Sequence, residues 1–252
     1  MALLELEAVT KTFGGLTAVD AVSFGVDEGT IVGLIGPNGA GKTTVFNLIT
    51  GNYRPDAGRV RFAGRDITGR PTHRIVAQGI ARTFQTIRLF HRMTVLENVL
   101  AGRHCRMRSG ILSAVLRTRS ERQEEGRAVA DAMAALRFVG LADRAEDLAG
   151  NLSYGNQRLL EIARALATEP RLIVLDEPAG GMNEQETLAL LELIRQIRER
   201  GVTVLLIEHD MGLVMEACQK LVVLEYGKKI AEGSPDAVKE DPKVIEAYLG
   251  TD

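Results

Sequence analysis

The stretch GPNGAGKT at residues 36–43 decides the fold of this chain. The apolar segment TIVGLI at 30–35 precedes it, and TVFNLIT at 44–50 follows it as the start of an apolar helix. A strand, a glycine-rich loop and a helix in this order are the setting in which the spacing G-x-x-x-x-G-K-T binds phosphate groups. A chance turn is the alternative, and it becomes rarer once the flanking strand and helix are counted. The stretch therefore predicts a nucleotide site.

The chemistry of this loop follows from its residue types. Glycine lets backbone N–H groups turn inward around phosphate oxygens, and the helix N-terminus adds partial positive charge. We expect Lys42 to reach the β- and γ-phosphates, and the Thr43 hydroxyl to ligate Mg²⁺. The loop residues predicted to bind the nucleotide are Asn38, Gly39, Ala40, Gly41, Lys42, Thr43 and Thr44.

A second stretch, RLIVLDEP at 171–178, is an apolar run that ends in two acids. The pattern predicts a buried parallel strand that delivers carboxylates at its C-terminal end, where α/β sheets bind ligands. Alone, it would be a strand entering a turn. Paired with the phosphate loop, Asp176 is predicted to hold Mg²⁺, directly or through water, and Glu177 to orient or deprotonate an attacking water.

A third stretch, NLSYGNQ at 151–157, precedes a helical pattern of apolar residues from 158 to 167. Pro170 bounds that helix, and Ser153 is a suitable N-cap. Capping alone would account for the serine.

Composition excludes several classes of protein. The formal net charge of the 252 residues is -2, so there is no overall basic field to attract nucleic acid or anionic lipid. Aromatic residues are 4% with no Trp, which argues against base-stacking platforms. No apolar run approaches the roughly 18 residues that span a bilayer. Cys105 and Cys218 lie far apart, so neither a disulfide framework nor a zinc site is indicated.

The three stretches together resemble the ATP-binding subunits of ABC transporters, and the resemblance covers essentially the whole chain. LSYGNQ lies where that family carries its L-S-G-G-Q signature, just before the strand that ends in Asp176 and Glu177. In the family two subunits stack head to tail, and each ATP lies between the phosphate loop of one and the signature of the other. The resemblance implies that Ser153, Gly155 and Gln157 serve the ATP of a second subunit.

Three further residues match motifs of the family. Gln85 in ARTFQ matches the glutamine that meets Mg²⁺ and the attacking water, although it could be a plain polar loop residue. His209 in LLIEHDM matches the switch histidine at the γ-phosphate, although a histidine at a strand end is commonly structural. Phe13 in KTFGG matches the aromatic that stacks on adenine, although it could equally be a core residue.

The chain departs from the family pattern in three places. Tyr154 and Asn156 replace the third and fifth signature residues, and AGGMN at 179–183 replaces the usual S-A-L-D turn, so that Asn183 stands for the customary Asp. Ser153 and Gly155, the pair that faces phosphate in the family, are unchanged.

Less specific sequence features indicate the branch of the family. Segments 81–100, 176–183, 205–211 and 242–250 look like the longer ATPase type of the branched-chain amino acid importers, and the likeness extends to the ATPase of lipopolysaccharide export. The stretch 103–127, with seven arginines, looks like the insertion that lengthens the helical subdomain in this branch. It is either a solvated helical face or a surface near the membrane subunit and anionic head groups.

The predicted architecture is a single α/β P-loop NTPase domain of the ABC type spanning 1–252. A mostly parallel core (about 1–87 and 161–252) would carry an antiparallel N-terminal β portion (roughly 1–30 and 54–68) and an inserted helical subdomain (about 88–160).

The resemblance implies an ATPase that uses ATP and Mg²⁺ to power import. The expected partners are a second identical or different ATP-binding subunit, transmembrane permease subunits and, indirectly, a substrate-binding protein, with no nucleic acid. The expected location is the cytoplasmic face of the inner membrane of a bacterium, as a peripheral subunit.

Two other functions remain open from the residues alone. A soluble ABC ATPase acting on ribosomes or DNA usually has two ATPase domains or a long coiled coil, and this chain has one phosphate loop and no sustained heptads. A P-loop kinase would transfer phosphate to a metabolite, and the LSYGNQ segment and His209 speak against it.

Overall fold

The computed structural model describes residues 2–103 and 119–249. An antiparallel sheet of four strands opens the chain, in the order β2-β1-β4-β5. Its first strand is long and runs from Ala2 to Phe13. The strands of this sheet are β1 (Ala2–Phe13), β2 (Leu16–Asp27), β4 (Ala57–Phe62) and β5 (Arg65–Asp66).

A second sheet of six strands follows the order β10-β9-β3-β8-β7-β6. Five of these strands are parallel, and β10 pairs antiparallel with β9 at the edge. The strands are β3 (Ile31–Ile35), β6 (Ile80–Arg82), β7 (Leu172–Asp176), β8 (Thr203–Ile207), β9 (Lys220–Glu225) and β10 (Lys228–Gly233). The predicted combination of a mostly parallel core and an N-terminal antiparallel portion is therefore confirmed.

Helices connect and cover the sheets. The longest is followed by two short 3₁₀ turns, Ala142–Arg144 and Ala149–Asn151. The helices are α1 (Lys42–Ile49), α2 (Thr72–Gln78), α3 (Val95–Arg103), α4 (Arg119–Phe138), α5 (Tyr154–Leu166), α6 (Glu184–Glu199), α7 (Met211–Ala217), α8 (Pro235–Lys239) and α9 (Pro242–Leu249).

The parallel strands are buried on both faces, and alternate residues divide between two apolar clusters. In β3, Val32 and Leu34 pack with α1 and the antiparallel sheet, whereas Ile31 and Ile35 pack with the helices on the other side. This is the period of two that a strand imposes on its side chains. The six-stranded sheet is therefore the middle layer, and its position fixes where the loops at its edge lie.

The helices α3, α4 and α5 pack against one another between β6 and β7 in the chain. The predicted boundary of the helical subdomain near 160 falls inside α5, which runs without a break from Tyr154 to Leu166. The division into subdomains remains a prediction. Much of the basic stretch 103–127 lies outside the described residues. Among the residues that the structure describes, no helix is both long enough and apolar enough to cross a membrane.

Candidate functional site

Four neighbouring strands of the six-stranded sheet end at the same edge, because all four are parallel. The phosphate loop follows β3, Gln85 follows β6, Glu177 follows β7 and His209 follows β8. Ligands of open α/β sheets bind at this edge. Residues separated by more than a hundred positions in the sequence therefore meet here.

The phosphate loop is held in a shape that requires glycine. Gly36 has φ 144°, and a Cβ at this position would lie 2.0 Å from the Leu224 carbonyl oxygen at the end of β9. The buried Lys42 donates from its Nζ to the carbonyl oxygens of Gly36 (2.6 Å) and Pro37 (2.8 Å). The loop and its lysine thus form one hydrogen-bonded unit at the start of α1.

The surroundings of Lys42 shift its pKa. Burial lowers the pKa of Lys42, and the negative charges of Glu177 and Asp176 act in the opposite direction. The ammonium therefore lies close to both predicted acidic residues. A cation in this position suits the anionic phosphates of a nucleotide.

Asp176 is buried at the end of β7, where it pairs with Arg82. The Arg82 Nη2 donates to Asp176 Oδ2 at 2.8 Å, and Nη1 donates to the Asn47 side chain at 2.7 Å. Burial raises the pKa of Asp176, and the hydrogen bond and charge of Arg82 offset part of that rise. Arg82 is a site residue that the sequence motifs did not indicate, since 94 positions separate it from Asp176.

Three residues predicted to take part in hydrolysis lie side by side. Gln85 donates from Nε2 to Glu177 Oε2 at 2.8 Å, and His209 Nδ1 lies 3.8 Å from Glu177 Oε1. Glu177 has φ 46°, in the left-handed region that non-glycine residues rarely adopt. Backbone strain of this kind clusters at functional sites. Their catalytic roles remain predictions.

The predicted metal ligands border one cleft of about 370 Å³, where Thr43, Gln85 and Asp176 meet. Hydroxyl, amide and carboxylate oxygens suit a hard cation such as Mg²⁺. Within the described ranges no group of three or more His, Cys, Asp or Glu side chains could hold a metal ion. The residues therefore fit a magnesium ion that completes its shell with water and substrate phosphates, as this ion commonly does.

Phe13 lies half exposed at the end of β1. Its ring meets that of Tyr53 edge to face, with centroids 5.1 Å apart, and Lys11 Nζ lies 5.3 Å from the Phe13 centroid. Tyr53 borders the cleft that contains Thr43 and Asp176. Phe13 is thus on the surface rather than in the core, with an aromatic partner at the margin of the site. Stacking on adenine stays a prediction.

The signature segment begins α5. Ser153 is the N-cap predicted from the sequence, and its exposed side chain accepts a hydrogen bond from the Asn156 N–H at 3.4 Å. Gly155 is buried, and a Cβ there would lie 2.6 Å from Glu186 Oε1. Gln157 donates to the Leu152 carbonyl oxygen at 3.0 Å. The predicted contact of these residues with a second subunit is not tested by one chain.

The turn at 179–183 follows β7, leads into α6 and contacts the signature segment. Asn183, which stands for the customary Asp, caps α6 in a reciprocal arrangement with Glu186. The Tyr154 ring packs against Gly181, whose added Cβ would lie 2.9 Å from the ring. Tyr154 and Asn183, two of the departures from the family pattern, therefore each have a local structural role.

Glu208 is a second residue that the motifs missed. Its buried carboxylate accepts from the Ala179 N–H at 2.8 Å and from the His209 N–H at 3.2 Å. Burial raises the pKa of Glu208, and these backbone hydrogen bonds offset part of the rise. Glu208 thus ties the turn after β7 to the turn after β8. One sequence feature could have indicated Glu208. It is a charged residue at the end of an apolar strand, next to a predicted site histidine.

The family described as "ABC transporter" matches residues 19–180, and the family described as "Branched-chain amino acid ATP-binding cassette transporter" matches residues 228–252. The chain belongs to the ABC transporter family. The predicted classification as an ATPase of this family is confirmed.

Curated relatives cover nearly the whole chain. The high-affinity branched-chain amino acid transport ATP-binding protein BraF of Pseudomonas aeruginosa is 47% identical over 98% of both chains. The corresponding LivG of Escherichia coli K12 is 45% identical over 98% of both chains. The predicted resemblance to branched-chain amino acid importers is confirmed.

Solved structures show the same fold. A nucleotide-free ATP-binding cassette from an ABC transporter has a TM-score of 0.87 and 37% identity, with all of both chains covered. The ADP conformation of MJ1267, an ATP-binding cassette, has a TM-score of 0.86 and 37% identity, again over the full length of both chains. The cassette MJ0796, in a dimeric post-hydrolysis state with ADP and Pi, has a TM-score of 0.77 and 25% identity over 92% of this chain and 98% of that chain.

Proposed function

We propose that this chain hydrolyses ATP to power the import of branched-chain amino acids. The observation that carries the proposal is the meeting of Gln85, Glu177 and His209 beside the phosphate loop. The same edge of the sheet holds a buried lysine and a buried carboxylate, as an ATP-hydrolysing site requires.

We assign each residue of the site one role in this reaction. Lys42 and the loop N–H groups bind the phosphates, and Lys42 must exchange its two carbonyl partners for phosphate oxygens. In this proposal Glu177, held by Gln85, accepts the proton of the attacking water, and His209, 3.8 Å from Glu177, donates to the γ-phosphate. Magnesium, held by Thr43, Asp176 and Gln85, would supply positive charge to the phosphate oxygens.

The substrate class rests on two further observations. The last described segment, which includes β10, α8 and α9, matches a family specific to branched-chain amino acid cassettes. The relatives that cover nearly all of the chain carry the same substrate in their names. We infer that the chain works as a peripheral subunit at the cytoplasmic face of the membrane, with permease subunits and a substrate-binding protein.

A second ATP-binding subunit completes the proposed assembly. Ser153, Gly155 and Gln157 begin a helix whose N-terminus can bind an anion. The dimeric state of MJ0796 with ADP and Pi supports a paired arrangement. We infer that these residues serve the partner's nucleotide in such a pair.

To test the proposal, the chain is purified from native membranes and the proteins bound to it are identified. Uptake of labelled leucine is then measured. We expect permease subunits in the complex and leucine uptake that Lys42→Ala abolishes. Loss of the lysine should weaken Mg²⁺-ATP binding on the order of 100-fold, because a buried charge contact to phosphate is removed. Exposed Lys239, at the end of α8, supplies the matched control Lys239→Ala. A complex without permease subunits, or unchanged ATP binding by Lys42→Ala, would refute the proposal.

A further inference from the structure

A cavity of about 320 Å³ lies at the edge of the six-stranded sheet opposite the phosphate loop. Pro170 and Val202, which line it, come just before β7 and β8, whereas the candidate catalytic residues follow these strands. Its other walls come from the end of α3 and from α4, α5 and α6. The cavity is therefore separate from the candidate nucleotide site, and we call it the basal cavity.

The floor of the basal cavity is apolar. Phe138 of α4, Leu166 of α5 and Ile197 of α6 line it, together with the small side chains of Ala134 and Ala135. Among the described residues that line it, none carries a hydroxyl or amide side chain. Sites for small molecules have volumes of roughly 300–1,000 Å³, so this cavity suits a small ligand with a hydrocarbon group.

Charged side chains of both signs lie at the rim of the basal cavity. Arg103 at the end of α3 donates from Nη2 to Asp131 Oδ2 and from Nη1 to Glu169 Oε1, each at 2.5 Å. The Arg103 side chain is largely buried, whereas those of Asp131 and Glu169 are exposed. An ionised carboxylate can accept about four hydrogen bonds, so Asp131 can bind an ammonium group while it keeps Arg103.

Arg200 supplies a cation to another part of the rim. Its guanidinium carbon lies 3.6 Å from the centre of the Phe138 ring, which is a cation–π contact. Among the described residues, no carboxylate lies within ion-pair distance of Arg200. The contact to the ring leaves the guanidinium N–H groups able to bind a carboxylate, for which their planar fork is suited.

The spacing of these groups suits a short zwitterion. Asp131 and Phe138 are seven residues apart on α4, hence on one side of the helix and about 10 Å apart along its axis. An α-amino acid with a hydrogen bond of about 2.9 Å at each charged group reaches across most of this spacing. A simple anion would be repelled by Asp131 and Glu169, and a simple cation would be repelled by Arg103 and Arg200.

We infer that the basal cavity binds a free aliphatic amino acid. Its ammonium group binds Asp131, its carboxylate binds Arg200, and its side chain packs on Phe138, Leu166 and Ile197. Branched aliphatic amino acids have this chemistry, and the choice of leucine as the probe rests on the proposed function. The cargo of the proposed importer would then bind the ATPase subunit itself, away from the nucleotide site.

A gap between packed helices is the competing explanation. In that case the ion pairs of Arg103 and the ring contact of Arg200 would only stabilise the chain. The two explanations differ in one measurable quantity, the affinity of the chain for free leucine.

Isothermal titration calorimetry of the intact chain with L-leucine, without nucleotide, measures that affinity. We expect a dissociation constant on the order of 1 mM, as is reasonable for a ligand of so few atoms. Three analogues each lack one feature: 4-methylpentanoate lacks the ammonium group, 3-methylbutylamine lacks the carboxylate, and L-glutamine has a polar side chain. Each should bind on the order of 10-fold more weakly than leucine, because a charged or apolar contact is lost.

Two substitutions test the assigned contacts. Arg200→Gln and Asp131→Asn should each weaken leucine binding on the order of 10-fold, because each removes one charge that faces the ligand. The matched controls are Arg137→Gln and Asp143→Asn, since both residues are exposed near the end of α4 and neither lines the cavity. Both controls should bind leucine as the unsubstituted chain does.

The outcomes separate the two explanations. Absence of leucine binding up to about ten times the expected constant, equal binding of 4-methylpentanoate, or unchanged affinity in Arg200→Gln and Asp131→Asn would overturn the inference. None of these results would affect the ATPase proposal. The same samples are titrated with Mg²⁺-ATP, and failure of the unsubstituted chain to bind it would instead overturn the proposed function.

Discussion

The N-termini of α1 and α5 both contain glycine and suit phosphate, but they differ in the residues that the described part of the chain places around them. At the start of α1, Lys42 belongs to the loop itself, and the end of β7 adds the charges of Asp176 and Glu177. At the start of α5, the contacts of the signature segment run to Gly181 and Glu186 instead. The groups proposed to carry out hydrolysis therefore gather at one terminus, while the other is proposed to bind an anion without them.

This difference indicates that the topology of the sheet, rather than the chemistry of the helix, determines which N-terminus lies beside the candidate catalytic residues. The carboxyl ends of β3, β6, β7 and β8 lie at one edge, so any residue that follows these strands is brought to α1. The start of α5 follows a 3₁₀ turn and lies outside that convergence. The signature helix can contribute to catalysis only at a site whose remaining groups come from elsewhere.

The largest effect is expected for a substitution at the N-terminus of α1, where the candidate catalytic residues lie. Glu177→Gln should lower the rate of ATP hydrolysis on the order of 100-fold to 10,000-fold, because the amide cannot accept the proton of the attacking water. ATP binding should persist, since Lys42 and the loop are unchanged, and the ATP-bound form should accumulate as a closed dimer. Steady-state hydrolysis and sedimentation with saturating Mg²⁺-ATP measure both properties.

Glu240→Gln is the control for that experiment, since Glu240 is exposed at the end of α8. Its hydrolysis rate should equal that of the unsubstituted chain. A Glu177→Gln protein that stays monomeric with ATP bound would count against the paired arrangement. Undiminished hydrolysis would remove Glu177 from the mechanism.

A smaller effect is expected for a substitution in the signature segment at the start of α5. Ser153→Ala should cost about 1 kcal/mol of unfolding free energy through loss of the helix cap, and it should also reduce ATP-dependent association. Ser234→Ala is matched to it, because Ser234 caps α8 with a similar bond, 3.3 Å from the Ala237 N–H. Urea unfolding should show similar losses for both variants, with weaker association only for Ser153→Ala. Equal association would mean that Ser153 is a cap and nothing more.

The smallest effect concerns the link between the turns after β7 and β8. Because burial raises the pKa of Glu208 above its value in the unfolded chain, its stabilising contribution is complete below about pH 4.5 and declines as pH rises through the folded pKa. The unfolding free energy of the native chain, minus that of Glu208→Gln, should therefore fall between pH 4 and pH 7. Denaturant titrations across this range measure the difference, and a rise with pH would contradict the assignment.

Local patterns predicted the phosphate loop and the Asp176–Glu177 strand end, because each depends on a short segment and its neighbours, and the family resemblance added His209. The partners Arg82 and Arg158 could not be predicted in this way. Arg82 meets Asp176 across 94 positions and Arg158 meets Gln85 across 73, so tertiary packing alone brings them together. The apolar spacing of α5 indicated the helix but not its polar side, where Arg158 and Glu161 lie.

The left-handed backbone at Glu177 has a consequence for the abundance of the protein. A glycine adopts φ 46° without the penalty of roughly 1 kcal/mol or more that a side chain brings. Glu177→Gly would thus trade the candidate base for a more relaxed turn, and the inactive chain should resist degradation better than the active one. In this scheme the backbone conformation and the proposed catalytic role make opposite demands on the residue at position 177.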